Sequence, residues 1–365
     1  MTGPIIVDAH EDLAWNILTF KRDYTHSASE TRKNEQDTIA PQVNGDTLLG
    51  WQDYQRGKVA VVFSTLFAAP ARRRLGAWDS QCYDSDEEAH VRYRAQLDAY
   101  DRLVEEHPDM FQKIETQADL ATILAHWQRE DTEEHPVGLI ILMEGAEGVR
   151  QPAELEDWYL RGVRIIGPAW AGTRYCGGTR EPGGLTQDGY ALLDGMAEFK
   201  LTLDLSHMDE KAALEALDSY SGAIIASHAN VLNLLKGSGS NRHLSDEVIQ
   251  GLVERGGVIG IVPNNGFLRP GWREVEGRSD VTLQDYVAHI DYICQLAGDA
   301  LHVGIGSDFD GGFGLQSVPA EIDTISDLRK IISILEQKGY TEPDITAILG
   351  KNWLAKLQNT IPEAL

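Results

Sequence analysis

Short apolar runs recur along the chain, and between most of them apolar residues return every three or four positions. Because the runs are almost continuously apolar, they predict parallel strands that are buried on both faces of a sheet. The segments between them predict amphipathic helices, for example at 209–220 and at 244–257, where Ser245 caps the start and Gly256 closes the end. The predicted strands lie at 4–10, 58–67, 136–144, 162–170, 200–207, 222–228, 257–264 and 302–309.

Eight strands that alternate with helices or long loops predict an α/β protein with a (β/α)8 barrel. No linker rich in Pro, Gly or Ser divides the 365 residues, so we predict a single barrel domain over 1–365. The stretch 21–42 is polar, weakly periodic and longer than an ordinary connection from strand to helix. We therefore predict a polar surface insertion or a lid around 21–45.

The chain is acidic, with 57 Asp and Glu residues against 32 Lys and Arg residues and a formal net charge of −25. Such a charge repels phosphate backbones and anionic lipid surfaces, so we expect no nucleic-acid or membrane partner. The 3 cysteines include no CxxC pair, which argues against a disulfide framework or a structural zinc knuckle. Because we find neither a secretory signal nor an apolar run long enough to span a bilayer, we expect a cytoplasmic protein.

Charged and imidazole side chains mark the ends of five predicted strands. In a (β/α)8 barrel these ends point to one face, where such enzymes carry out their chemistry. Imidazoles and carboxylates are the ligands that Zn²⁺ and similar divalent ions take. The residues concerned are His10, Asp12, Glu144, His207, His228 and Asp308.

The spacing of the first strand supports a shared ion. Residues two apart on a strand point the same way, so His10 and Asp12 can bind one ion together. Asp8 falls on the same face one step deeper, where we expect it to orient a ligand imidazole. Glu11 points to the opposite face and is expected to take no part in the chemistry.

Each of these residues has an ordinary structural interpretation when it is taken alone. Glu144 can cap a helix, with Glu147 as the acting carboxylate, and Asp308 and Asp310 can be turn residues. Six ligand-type residues at corresponding strand ends would, however, be costly to bury without a partner. They also exceed the needs of one tetrahedral zinc, so two metals that share a carboxylate use the set better. One carboxylate is then free to act as general base.

Six stretches, in order along the chain, resemble the membrane (renal) dipeptidase family, which is peptidase family M19 of the amidohydrolase superfamily. They are VDAHEDLAWN, MEGAEGV, DLSHMDE, ASHAN, NRHLSDE and HVGIGSDFDGG, and the resemblance covers essentially the whole chain. It implies a dipeptidase with two Zn²⁺ ions that tolerates a D-residue on the C-terminal side of the scissile bond. Mn²⁺ and Co²⁺ share such ligands, so the native metal stays open. Homodimers are common in the family, and nothing in the sequence decides the oligomeric state.

The resemblance also implies a role for each site residue. Glu144 would bridge both ions, between one zinc held by His10 and Asp12 and a second held by His207 and His228. A bridging hydroxide would attack the scissile carbonyl. Asp308 would hold the attacking water and pass its proton to the leaving amine. Arg242 would bind the C-terminal carboxylate of the substrate, for which a guanidinium fork is well suited.

One position departs from the family pattern. Where characterised dipeptidases place a histidine that contacts the substrate carbonyl, this chain has Trp170. An indole donates one hydrogen bond but carries no positive charge, so the contact is weaker or comes from Arg174 or Tyr175. This leaves open another amidohydrolase-type activity, such as deacylation of N-acyl amino acids or hydrolysis of a cyclic amide or lactone. A non-catalytic barrel is disfavoured because every aligned ligand position is filled.

Overall fold

The eight apolar runs form eight parallel strands in the computed structural model, which describes residues 3–129, 131–132 and 134–364. Seven strands lie inside the runs predicted for them, and the first extends one residue beyond its run, to Glu11. All of their residues are buried except Phe67 at the end of the second strand. The strands are β1 Ile6–Glu11, β2 Val59–Phe67, β3 Val137–Glu144, β4 Val163–Gly167, β5 Thr202–Asp204, β6 Ile224–Ile225, β7 Ile259–Ile261 and β8 Val303–Ile305.

The strands pair side by side into a nearly closed barrel. The order of hydrogen-bonded neighbours is β6, β5, β4, β3, β2, β1, β8 and β7, and every pair is parallel. Ala226, just after β6, forms a parallel bridge with Ile259 of β7 and so joins the two ends of this series. The short strand Phe111–Lys113 pairs with β3 outside the ring. The predicted (β/α)8 barrel is confirmed.

Helices surround the barrel and connect most strands. Ser245 accepts a hydrogen bond from the Val248 amide at the start of Asp246–Glu254, and Gly256 follows this helix with a φ of +60°, as its predicted cap and end require. No described helix has both the length and the apolar content to cross a bilayer. The α-helices are Leu13–Phe20, Ala28–Glu35, Ala40–Val43, Trp51–Gly57, Asp86–Glu106, Gln117–Trp127, Leu155–Leu160, Gln187–Glu198, Glu210–Ser219, Asp246–Glu254, Asn265–Leu268, Leu283–Ala297, Ile331–Gln337, Glu342–Thr346 and Asn352–Thr360.

The polar stretch at 21–45 is attached to the segment that follows β8. Asp310 is fully buried there and accepts hydrogen bonds from the Tyr24 hydroxyl at 2.9 Å and the Leu48 amide at 3.0 Å. The guanidinium of Arg22 lies 3.0 Å from the same carboxylate and also pairs with Glu35 at 2.9 Å. These contacts anchor the insertion beside the barrel face that carries Asp308. The lid and the single-domain assignment both stay predictions.

Candidate metal centre and substrate cavity

The ends of five strands bring the six predicted ligand-type residues together. His10 lies within β1 and Glu144 ends β3, whereas Asp12 follows β1 directly. His207, His228 and Asp308 each lie three residues beyond β5, β6 and β8. All six side chains are buried or nearly so, with His207 and Asp308 the most exposed at 11% and 12%.

Glu144 presents its two carboxylate oxygens to different groups. Its Oε1 lies 3.1 Å from His207 Nε2 and 3.3 Å from His228 Nε2. Its Oε2 lies 3.9 Å from His10 Nε2, which is itself 3.7 Å from Asp12 Oδ2. Two sets of ligand atoms therefore share Glu144. They are His10, Asp12 and Glu144, and Glu144, His207 and His228, and within each set the atoms lie within 4.8 Å of one another.

The donor atoms of these sets fit divalent cations. His10 Nε2, Asp12 Oδ1 and Glu144 Oε1 are buried and have no hydrogen-bond partner among the described residues. Buried polar atoms of this kind are unfavourable unless something pairs with them. Burial holds the pKa of His207 and of His228 well below the usual value, so both imidazoles are neutral, as metal ligands must be. Imidazole nitrogen and carboxylate oxygen donors suit Zn²⁺ and also Mn²⁺ and Co²⁺.

The negative charge of the cluster acts on His10. Burial disfavours its charged form, but Glu144, Asp12 and Asp308 outweigh that effect and raise the pKa of the imidazole to about 10. Three carboxylates thus create a strong preference for positive charge at this point. A bound cation would satisfy the same preference.

Asp308 completes the cluster from the segment after β8. Its Oδ1 lies 3.9 Å from His10 Nε2, and its amide donates to the His10 carbonyl at 3.1 Å. Burial raises the pKa of the Asp308 carboxyl to about 7; Asp12 adds to this, while His10 and Arg242 oppose it. Asp308 has a φ of +56° and His207 a φ of +65°, a region that costs a non-glycine residue about 1–3 kcal/mol. The surrounding contacts hold both residues in these conformations.

The other two acidic residues of β1, Asp8 and Glu11, bond to groups outside the ligand cluster. Asp8 does not contact a ligand imidazole, so that prediction is wrong. Its Oδ1 accepts a 2.7 Å hydrogen bond from the Ser307 amide and its Oδ2 accepts one from the Ser307 hydroxyl. Asp8 therefore supports the turn that leads to Asp308. Glu11 is fully buried and accepts a hydrogen bond from the Tyr54 hydroxyl.

A cavity of about 360 Å³ opens beside the cluster. The guanidinium of Arg242, which is 4% exposed, donates from Nη2 to the His228 carbonyl at 2.7 Å. Its Nε and Nη1 are buried without a partner among the described residues. The lining includes Asp12, Glu144, His207 and Asp308 of the cluster, together with Arg242, Asp79 and the aromatic residues Trp15, Phe67, Trp170, Phe267 and Phe313.

The residues considered as partners of the substrate carbonyl lie in two places. Trp170 lines the cavity, with its ring 5.1 Å from Phe67 and 6.1 Å from His207, centroid to centroid. Arg174 and Tyr175 are not among the described residues that line it. The Tyr175 hydroxyl donates to the Val149 carbonyl and accepts from Arg174 Nη2 at 2.8 Å. A substrate-binding role for Tyr175 stays a prediction that no contact in the structure supports.

Glu147, the alternative to Glu144, also lies outside the lining. Its Oε1 accepts a 2.7 Å hydrogen bond from the Arg174 amide, at a separate surface depression. Of the two carboxylates, Glu144 is the one that faces the ligand cluster.

The geometry agrees with a comparison against known families. The family model of membrane dipeptidases, peptidase family M19, matches residues 1–361. The chain belongs to this family. It is thus a metallo-dipeptidase by family, a hydrolase of peptide bonds, and its clustered imidazoles and carboxylates are candidate ligands for the metal ions of an M19 peptidase.

Individual relatives resemble the chain over much of its length. An uncharacterised protein in the pqqA 5′ region of Klebsiella pneumoniae is 33% identical over 239 residues, which are 62% of this chain and 83% of the relative. The dipeptidase ataJ of Aspergillus terreus is 29% identical over 71% of this chain and 64% of its own length. A metallopeptidase from Rhodobacter sphaeroides, solved with a phosphinate mimic of L-Ala-D-Ala, shares the fold. Its TM-score is 0.78 at 23% identity, over 99% of this chain and 100% of that one.

Proposed function

We propose that this M19 peptidase is a dinuclear zinc-dependent dipeptidase that hydrolyses free dipeptides and accepts a D-residue on the C-terminal side of the scissile bond. The observation that carries the proposal is the position of Glu144 between two sets of ligand atoms, in a cavity that also contains the unpaired groups of Arg242. Acceptance of a D-residue is supported by the Rhodobacter sphaeroides relative, whose ligand mimics L-Ala-D-Ala.

Five residues would hold the ions. His10 and Asp12 would hold one and His207 and His228 the other, with Glu144 between them. When bound, two such ions provide a nucleophile from water at neutral pH and polarise the attacked carbonyl. Zn²⁺ suits the nitrogen and oxygen donors, and Mn²⁺ or Co²⁺ would accept the same set.

Asp308 is the proposed general base. It lines the cavity next to the ligand cluster, and the two sets that share Glu144 are complete without it. Its carboxylate would take the proton of the attacking water at Oδ1 and deliver it to the nitrogen of the leaving amine. A single carboxylate that moves one proton in both directions is sufficient for this hydrolysis.

Two buried charged side chains of the cavity lining, Arg242 and Asp79, would suit the two ends of a free dipeptide. Arg242 has Nε and Nη1 without a partner among the described residues, so its N–H groups are available to a carboxylate. Asp79 is 4% exposed and lines the same cavity, and its Oδ1 has no partner in the described part of the chain. It would attract a substrate ammonium group. An N-acyl amino acid lacks that ammonium group, and a lactone or cyclic amide need carry neither charge, so the cavity favours the dipeptide.

Trp170 takes the place of the family histidine in the cavity wall. Its ring packs near Phe67 and His207, so it would provide apolar contact to a substrate side chain and, through its single N–H, one hydrogen bond at most. We propose that it shapes side-chain preference and contributes less to charge stabilisation than an imidazolium would.

Arg242→Ala tests the assignment of the carboxylate site. A charged hydrogen bond contributes about 1.5–3 kcal/mol, so kcat/KM for a dipeptide is expected to fall about 10- to 100-fold, mainly through KM. The matched substrate is the same dipeptide with a C-terminal amide, on which the variant and the wild type should differ little. The ion content of the variant is measured in parallel because Arg242 also contacts the His228 carbonyl. Equal losses on the acid and the amide, at unchanged ion content, would refute the role.

A further inference from the structure

The ligand imidazoles His10 and His228 share a hydrogen-bonding partner behind the metal-facing atoms. The Ser227 hydroxyl lies 2.8 Å from His228 Nδ1 and 3.4 Å from His10 Nδ1. The two rings stand side by side, with centroids 3.7 Å apart. His10 belongs to the set with Asp12, and His228 belongs to the set with His207. The single hydroxyl of Ser227 therefore contacts one ligand of each set.

The serine is in turn held by a buried carboxylate. The Ser227 hydroxyl donates to Asp204 Oδ2, and the Ser227 amide donates to Asp204 Oδ1 at 2.8 Å. Asp204 Oδ1 also accepts from the Ser206 amide at 3.0 Å and the Ser206 hydroxyl at 2.7 Å. Asp204 is 1% exposed and Ser227 is fully buried, so water does not compete for these bonds.

The backbone of Ser227 is confined as well. Its carbonyl oxygen lies where a Cβ on Gly260 or on Gly306 would come within 1.9 Å, so only glycine fits at both positions. These glycines follow or belong to β7 and β8, the strands that close the barrel beside β6. The packing of β7 and β8 against this carbonyl therefore restrains the backbone of Ser227, which carries the hydroxyl.

The direction of the hydrogen bonds follows from the number of hydrogens. The Ser227 hydroxyl has one hydrogen, and it donates this hydrogen to Asp204 Oδ2. The lone pairs of the same oxygen then accept from Nδ1–H of His228 and, over the longer distance, of His10. A neutral imidazole with its hydrogen on Nδ1 carries its lone pair on Nε2, the atom that faces Glu144 in both residues.

We propose that Asp204 and Ser227 are positioning residues that hold His10 and His228 in the Nδ1–H tautomer and in the ring orientation required to bind metal. The inference rests on the proposed function only in requiring cations at this cluster. It goes further in one respect: because the serine contacts one ligand of each set, its removal should weaken the binding of both ions. Loss of a ligand that belongs to one set should act mainly on one.

The test measures the affinity of purified full-length protein for Zn²⁺, using a competing chelator and counting ions per chain. Ser227→Ala is expected to weaken both binding steps about 10- to 100-fold, the range known for partners of ligating histidines. Asp204→Asn should weaken them at least as much. Its new amide can donate to the serine, whose hydrogen then turns towards Nδ1 and favours the tautomer that cannot bind through Nε2.

Ser206→Ala is the matched control. Its hydroxyl bonds to the same carboxylate, accepts from the His228 amide at 3.0 Å and lies 3.3 Å from the Ser227 hydroxyl, but it contacts no imidazole, so its removal should weaken both affinities clearly less than Ser227→Ala does. Thermal unfolding of the metal-free variants checks that each one folds. Wild-type affinity in Ser227→Ala, or an equal loss in Ser206→Ala, would overturn the proposal. A wild type that binds two ions but hydrolyses no dipeptide would overturn the proposed function alone, because the affinities would still decide the positioning role.

Discussion

Glu144→Gln is expected to lower dipeptide hydrolysis about a thousandfold or more, because metal ions stabilise a transition state by several kcal/mol and each 1.4 kcal/mol is a factor of ten. Glu144 is the member that both sets of ligand atoms share, with Oε1 towards His207 and His228 and Oε2 towards His10. An amide keeps only one oxygen and turns an N–H₂ group towards one set. At least one ion should therefore be lost, which ion analysis of the purified variant would show directly.

Glu147→Gln is the matched control for this variant. Glu147 lies three residues further along the same segment, but its carboxylate bonds to the Arg174 amide outside the cavity. The Glu147→Gln enzyme should hydrolyse dipeptides at the wild-type rate and keep the wild-type ion content. If Glu144→Gln instead retained two ions and most of the rate, Glu144 would not be the bridging ligand.

Asp308→Asn should have the next largest effect, a fall in kcat of about 10²- to 10⁴-fold, the usual contribution of a general acid–base group. The amide has the size of the carboxylate but cannot take a proton from water. Asp308 belongs to neither set that shares Glu144, although its carboxylate also lies within 4.8 Å of ligand atoms of His10 and His228, and as a general base it should leave the ion content and the KM little changed. Kinetics and ion analysis on the same preparation separate this outcome from simple loss of metal.

Asp299→Asn is the control for Asp308. Asp299 precedes β8, whereas Asp308 follows it, so the two carboxylates lie at opposite ends of one barrel strand. Its Oδ1 accepts a 2.8 Å hydrogen bond from the Leu301 amide, far along the strand from the ligand cluster. The Asp299→Asn enzyme should retain the wild-type kcat. An Asp308→Asn enzyme with more than about a tenth of the wild-type kcat would exclude Asp308 as the proton carrier.

The barrel and the ligand cluster were predictable because each depends on short sequence patterns: apolar runs indicate the strands, and ligand-type residues follow these runs at strand ends that meet on one barrel face. Continuous apolar runs indicate strands buried on both faces, and all eight occur where they were predicted. The paired strands are shorter, however. The run 222–228 contains only Ile224–Ile225, because the backbone amides of Ser227 and His228 donate to the side chains of Asp204 and Ser206 and not to the backbone of β5. The spacing of His10 and Asp12 likewise predicted that both lie on one face, and in the structure His10 Nε2 and Asp12 Oδ2 are 3.7 Å apart.

The partners of the ligands were not predictable in the same way, because they depend on the register between neighbouring strands. Asp204 reaches Ser227 since β5 pairs with β6 with Asp204 opposite Ile225, a register that no local pattern specifies. The same applies to Asp8, which was expected beside an imidazole and instead bonds to Ser307 of the neighbouring β8 segment. Similarly, the polar composition of 21–45 does not reveal that Arg22 is buried against Asp310.

We propose that this M19 peptidase hydrolyses free dipeptides with two metal ions. The most direct measurement is the rate of L-Ala-D-Ala hydrolysis as verified metal-free protein is titrated with Zn²⁺, with N-acetyl-D-alanine as the comparison substrate. We expect no turnover without metal, a plateau at two ions per chain, and a much lower rate on the N-acyl compound. Full activity of the metal-free protein, a plateau at one ion, or a preference for the N-acyl compound would exclude a dinuclear dipeptidase.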